Sequence, residues 1–243
     1  MFSEVNVAKH IGIVAVSPEG SALCYRDIYR RAQALMGDEG HPVVTLHNER
    51  LEDYINAILR DDWHTIGDML TRSARVLALA GAEFCITPDN VVQHGVELAR
   101  HTSPIPWLTM TDLVAEKVAA DGRKTVGIIG TKLVMFGSTY QTMLGIKGVK
   151  VITPEARDAD AIDSIIFREL IHGEIREESR ELFISAMKRL ADRGADGVIL
   201  GCSEAPLLVP AEKAPLPAYD AVGLLADSAV HYSIGRPSGA SVR

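Results

Sequence analysis

The sequence predicts an α/β protein of two pseudo-symmetric lobes. Three observations carry that expectation: short β-rich apolar runs alternate with longer stretches of helical period, a weak internal repeat holds a nearly constant offset, and 47% of the 243 residues are apolar, enough for a large core. Strands are expected near Ile11–Val16, Val43–Leu46, Phe84–Thr87, Val126–Ile129, Val149–Ile152 and Val198–Leu200, with a shorter one near Trp107–Thr109. Each run is too short for a helix. Ile66, Met69, Leu70, Leu77 and Ala80 follow a helical course that Gly81 stops, and Phe183, Ala186, Met187, Leu190 and Ala191 follow another that Gly194 stops. Glu174–Arg180 reads as a solvated helix start, its acidic groups favoured by the dipole.

These two helices introduce the repeat. Leu77-Ala78, Gly81-Ala82-Glu83 and Ile86 recur 113 positions later as Leu190-Ala191, Gly194-Ala195-Asp196 and Ile199, and Ile11-Gly12-Ile13-Val14 recurs 115 positions later as Val126-Gly127-Ile128-Ile129. Two lobes joined near Thr111–Arg123 explain both matches. Each is expected to be a parallel four-stranded sheet flanked by helices, with the active site in a cleft between them. The expected divisions are 1–112 and 113–210, a segment 211–234 returning to the first lobe, and a flexible Gly/Ser/Pro-rich tail at 235–243.

Composition excludes several classes of function. With 32 acidic and 25 basic residues the net charge is -7, and the basic residues are scattered, so nucleic acid is not an expected partner. No apolar run spans a membrane, and Met1–His10 lacks the basic start and apolar core of a secretory signal, so a cytoplasmic location is expected. Cys24, Cys85 and Cys202 have neither disulfide nor metal-site spacing, so no metal is expected and any functional thiol acts alone. Cys24 and Cys85 read as small core residues. Gly127–Gly130 lacks P-loop spacing and no GxGxxG opens a helix, so no cofactor is expected either.

In open parallel sheets ligands collect outside the carboxyl ends of strands. The equivalent strands Phe84–Thr87 and Val198–Leu200 are followed by Asp89-Asn90 and Cys202-Ser203, which the 113-residue offset superimposes. Two proton carriers on opposite sides of a substrate can remove a proton from one face of a carbon and return one to the other, the chemistry of a racemase or isomerase. Ser17, Asn90, Thr131 and Ser203 stand at helix starts, where they either bind a substrate carboxylate or simply cap helices.

At these residues the chain resembles the aspartate/glutamate/hydantoin racemase superfamily, over nearly its full length. The resemblance rests on Ile11–Val14 with Ser17-Pro18-Glu19, on Gly81–Asn90, on Val126–Thr131, and above all on Val198–Leu208, which is similar to the family's second catalytic-cysteine motif. It implies a cofactor-independent amino-acid (Asp/Glu-like) racemase or epimerase acting on a small carboxylate, Cys202 and Asp89 as the catalytic pair, Glu204 among the substrate-binding residues, and a possible homodimer. Typical members carry Cys-Asn-Thr where this chain has Asp89-Asn90-Val91, and paired glycines where it has Ala15-Val16-Ser17. A lysine that some members use for a side-chain carboxylate falls at Ala161, which leaves Arg50 as the candidate cation.

A thiol near a helix start is expected to ionise below its ordinary value of about 8.5, toward neutrality. An ordinary Asp lies about 4.6 units lower than that thiol, so as a base Asp89 concedes on the order of 6 kcal/mol unless burial raises it. Two further readings therefore stand beside the racemase: a one-sided lyase, decarboxylase or cis-trans isomerase using Cys202 alone, and a carboxylate-binding protein without turnover. His94, His101 and His172 read as surface or capping residues; Tyr25, Tyr140 and Trp107 either line the cleft or belong to the core.

Overall fold

In the computed structural model, which describes residues 8–236, the β-rich runs fold into two parallel sheets. Along the chain the order is β1 (Ile11–Ala15), α1 (Pro18–Met36), β2 (Val44–Asn48), α2 (Leu51–Leu59), α3 (Trp63–Leu79), β3 (Phe84–Ile86), α4 (Gln93–Ala99) and α5 (Met110–Ala120). Then come β4 (Thr125–Gly130), α6 (Lys132–Met135), α7 (Ser138–Ile146), β5 (Lys150–Ile152), α8 (Ala156–Arg168), α9 (Glu177–Asp192), β6 (Gly197–Gly201), α10 (Ala205–Leu208), β7 (Ala218–Asp220) and α11 (Ala221–Ser233). The described chain divides into two compact units, residues 8–109 with 225–236, and residues 110–224. The expectations for Met1–His10 and for the tail fall largely on residues 1–7 and 237–243, outside the described residues.

The first unit has strand order β2-β1-β3. Its central strand β1 is buried throughout, and Tyr54, Ile66, Leu70, Ala74 and Leu77 from α2 and α3 pack in its core. The expected fourth strand at Trp107 is reduced to an isolated bridge with Cys85, closed by Cys85 N–H to Pro106 O and Leu108 N–H to Cys85 O. Pro104 and Pro106 lack the donors a longer ladder needs. The carboxyl half of α11 belongs to this unit: Lys9 N–H donates to Ser233 O, and Phe84 meets Tyr232 edge-on with ring centroids 4.7 Å apart.

The second unit has strand order β5-β4-β6-β7. Two boundaries differ from the sequence expectation. The supposed joint at Thr111–Arg123 is mostly α5, whose Thr111, Leu113, Val114, Ala115 and Val118 are buried in the second unit. The segment 211–224 stays with this unit as well, because β7 pairs with β6. Nothing in the pattern marked β7: it is three residues long, follows Pro215 and Pro217, and contains no β-branched residue.

The repeat has a concrete physical basis. Both helices end before a glycine at positive φ, 97° at Gly81 and 94° at Gly194, and the next residue closes back onto the helix, Ala82 N–H to Leu77 O and Ala195 N–H to Leu190 O. Glu83 then accepts from His10 N–H, as Asp196 does from Lys124 and Thr125 N–H, tying each helix end to the start of the central strand. Leu77 lies against Gly12 and Leu190 against Gly127, where an added Cβ would stand 3.1 and 2.7 Å from the leucine side chains. The helix, turn and strand recur because one packing problem is solved twice.

Candidate active site

The carboxyl end of β6 delivers Cys202 into the turn that opens α10. The thiol is 7% exposed, within the hydrophobic cluster of the second unit, and donates to Glu204 Oε2 at 3.0 Å. Backbone N–H groups of Glu204 and Ala205 point at the sulfur and draw its ionisation down, as a helix start should. They are outweighed. Burial first, and the Glu204 carboxylate second, push the thiol well above its ordinary range. The expectation of a thiol drawn toward neutrality is thus overturned: a four-residue helix supplies too few aligned dipoles to offset desolvation beside a carboxylate. Glu204, expected among the substrate-binding residues, is a buried partner of the thiol. Arg180 on α9 donates to Leu208 O and anchors the end of α10, a role its place in a charged run concealed.

At the carboxyl end of β3, Asp89 is half-buried and its Oδ1 accepts from the N–H groups of Val91 and Val92, at 2.9 and 3.2 Å. Asp89 therefore does cap the turn into α4, which leaves open a second use of the same carboxylate. Gln93 clamps the turn by donating to Thr87 O and Asp89 O. Tyr54, fully buried on α2, lies within the field of Glu49 and Asp89, and burial and those charges push its phenol upward. Tyr54 was indistinguishable in the sequence from an ordinary core residue, because Tyr54 and Ala57 form a plain helical stripe.

The remaining candidates separate into caps and unpaired groups. Ser17 is the N-cap of α1 and accepts from Gly20 N–H at 3.1 Å, the plain capping role. Thr131 occupies the N-cap of α6 without making a cap bond; its hydroxyl is buried and has no partner among the described residues. The hydroxyl of Thr87, two residues before Asp89, is in the same state, and the sequence reading passed it over as part of a strand. Buried polar groups are rarely left so, and a ligand is one thing that completes them. Asn90 is buried and Ser203 half-buried in their turns. Arg50, the candidate cation, has a side chain that is 73% exposed and paired with Glu52. Trp107 and Tyr140 are core residues, Tyr25 is 41% exposed, and Cys24 and Cys85 are buried. His94 packs edge-on against Trp63, and His101 and His172 are exposed. Among the described residues no group of His, Cys, Asp or Glu is arranged to hold a metal, and no helix is long and apolar enough to cross a membrane.

Two parallel sheets flanked by helices, with Asp89 after β3 and Cys202 after β6, define the chain as a two-sheet α/β protein. Residues 13–229 match the Asp/Glu/Hydantoin racemase family, and the chain belongs to that family. A crystal structure of a candidate Asp/Glu racemase from Yersinia pestis is 29% identical, with a TM-score of 0.86 over 93% of this chain and 99% of that one. An aspartate racemase homologue from Pyrococcus horikoshii OT3 is 23% identical, with a TM-score of 0.83 over the same shares, a likeness of fold. A glutamate racemase from Hydrogenobaculum sp. (strain Y04AAS1) is 29% identical over 133 residues, 54% of this chain and 49% of that relative, so the match spans about half of the curated relative's length.

Proposed function

We propose that the protein is a cofactor-independent racemase or epimerase of a small amino-acid-like carboxylate, with Cys202 and Asp89 acting on opposite faces of the carbon α to the carboxylate. The observation that carries the reading is the hydrogen bond from the Cys202 thiol to Glu204, in a chain of this family. Because burial and the neighbouring carboxylate hold the thiol protonated, Cys202 starts the reaction as the acid. Asp89 takes the α-hydrogen as a proton, the electron pair passes into the carboxylate as an enediolate, and Cys202 delivers its proton to the other face. The enzyme is left with a protonated Asp89 and a thiolate. It resets through solvent or by turnover of the opposite enantiomer. Hydrogen-bond donors on the substrate carboxylate stabilise the enediolate, and Thr131, Asn90, Ser203 and the backbone beside them are the residues proposed for that task, with Ser17 contributing through its cap.

Chiral chromatography of enantiopure amino acids incubated with the protein tests the reading: inversion without added cofactor is expected, and no inversion of any amino acid contradicts it. A one-sided reaction with Cys202 as sole proton donor is the second reading, favoured by the same protonated thiol. Release of carbon dioxide or ammonia in place of inversion would select it.

Thr131 gives a separate test. Thr131→Val removes a hydroxyl with no partner among the described residues and keeps the side chain's shape. Stability measured by urea denaturation should change by less than about 0.5 kcal/mol, while KM rises roughly tenfold, the worth of one hydrogen bond to a charged group. A loss of stability with unchanged KM would make Thr131 a structural residue only.

A further inference from the structure

Helix α2 carries more apolar surface than its own unit uses. Tyr54 and Ala57 are buried and Ile58 packs against the same core. Leu51, Ile55 and Leu59, at i, i+4 and i+8, form a second apolar stripe along the shoulder of the helix, and it is left exposed. One packed face needs a stripe roughly 100° wide, whereas the apolar arc from Ala57 round to Leu59 covers about 200°. The exposed stripe is continued by α3. Arg72 holds Glu49, two residues before α2, and Val76 and Leu79 follow Arg72 on the same side of α3. Exposure of these five apolar side chains runs from 38% at Leu51 to 79% at Leu59 and 90% at Leu79.

The face is preformed. Only residues 60–62 separate α2 from α3, and within them Asp62 N–H donates to Ala57 O while the Asp62 carboxylate accepts from Thr65 N–H and caps α3. Asp61, at φ 54°, accepts from the Trp63 indole. A partner therefore docks on an ordered surface, which lowers the entropy cost of association.

Size and symmetry indicate what covers it. The five side chains expose about 500 Å² of apolar surface, within the roughly 300–600 Å² of patches that mark interaction sites. That is also about the apolar share, near 65%, of the roughly 800 Å² that each partner buries in a standard interface. The pattern fits its own copy. Ile55 stands midway between Leu51 and Leu59, so a second α2 laid antiparallel across the first sets Ile55 on the partner's Ile55 and Leu51 on the partner's Leu59. The same reversal brings Arg60, at the C-cap of each helix, toward the acidic first turn of the other, Glu52 and Asp53, and opposes the two helix dipoles.

We propose that the occupant is a second copy of this chain, in a two-fold dimer whose axis passes through Ile55 of α2, with Val76 and Leu79 of α3 at its flanks. The proposal does not depend on the reaction and would stand if the racemase reading failed.

Sedimentation equilibrium of the full chain at micromolar concentration should give twice the chain mass. Ile55→Glu sets two carboxylates against each other on the axis and should weaken association by roughly 10²-fold or more. Its far-UV circular dichroism should be unchanged, because the position is exposed in the single chain. Ile146→Glu, at a 74% exposed position on α7, is the matched control and should leave the dimer intact. Ile55→Cys reads the geometry without disrupting it: on the axis the two thiols come within disulfide reach, so mild oxidation should yield a covalent dimer that Ile146→Cys does not form. Cys24, Cys85 and Cys202 are buried and should not cross-link. A monomeric unaltered protein overturns the proposal, and if the thiol of Ile55→Cys is then shielded from alkylation, another part of the chain is the occupant. A dimer that Ile55→Glu leaves intact and that Ile55→Cys does not cross-link is built on a different face, which overturns it as well.

Discussion

Cys202→Ala is expected to lower kcat/KM for inversion of both enantiomers by roughly 10³-fold, within the 10²- to 10⁴-fold range of a lost acid-base group. Folding should survive, since the change removes one buried sulfur at a cost of about 1 kcal/mol. The pH dependence gives the loss a second signature. The thiol ionises higher in the folded chain than in the unfolded one, so the folded state holds its proton longer. That stabilisation is complete below the unfolded thiol's value of about 8.5 and is lost as pH rises through the higher folded value. The unaltered protein should therefore lose stability, relative to Cys202→Ala, from about pH 8.5 upward. Glu204→Gln removes the carboxylate beside the sulfur and should move thiol ionisation down, read as thiolate absorbance appearing at lower pH. Inversion retained above a tenth in Cys202→Ala, or thiol ionisation unmoved in Glu204→Gln, would separate this pair of residues from the chemistry.

Gly130→Ala should cost about 1–3 kcal/mol, the usual penalty for forcing an atom into packed space. Gly130 and Gly201 face each other at the carboxyl ends of β4 and β6, and a Cβ on Gly130 would stand 2.6 Å from Gly201 O and 3.1 Å from its carbonyl carbon. Backbone must move to admit it, and the segment that moves is one residue from Cys202. Displacement of the thiol by about 1 Å is enough to reduce turnover near 10²-fold, so stability and activity should fall together. Gly145→Ala in α7, where a Cβ meets nothing within 4 Å, is the matched control and should be neutral or stabilising by up to about 1 kcal/mol. Equal melting temperatures and equal turnover for the two alanine variants would show that the glycine pair is not needed for the approach of these strands.

The parts of this fold that were legible in the sequence are those where local pattern and packing agree. The two helix-glycine-strand segments ending at Gly81 and Gly194 were readable because a buried stripe, a positive-φ stop and a core strand all lie within about twenty residues. β7 was not, because its place is set by pairing with β6 across the sheet and its own residues carry no signal. The proline-flanked run at Trp107 shows the reverse error: β-forming residues were present, but the donors for a ladder were not. At the candidate site, spacing located Cys202 and Asp89 at equivalent strand ends. It could not show that Glu204 turns inward onto the thiol, that Arg50 turns outward onto Glu52, or that Thr131 leaves its hydroxyl unpaired, since these are side-chain directions chosen by tertiary surroundings. The thiol's ionisation went the wrong way for the same reason, burial being a property of the whole unit.

Single-turnover reaction in deuterium oxide, starting from one pure enantiomer of a substrate that the protein inverts, tests the proton route most directly. Two opposed carriers predict deuterium at the α-carbon of the inverted product, while recovered starting material remains unlabelled. Deuterium in recovered starting material at the rate of inversion, or inversion with no label at all, would contradict transfer between Asp89 and Cys202.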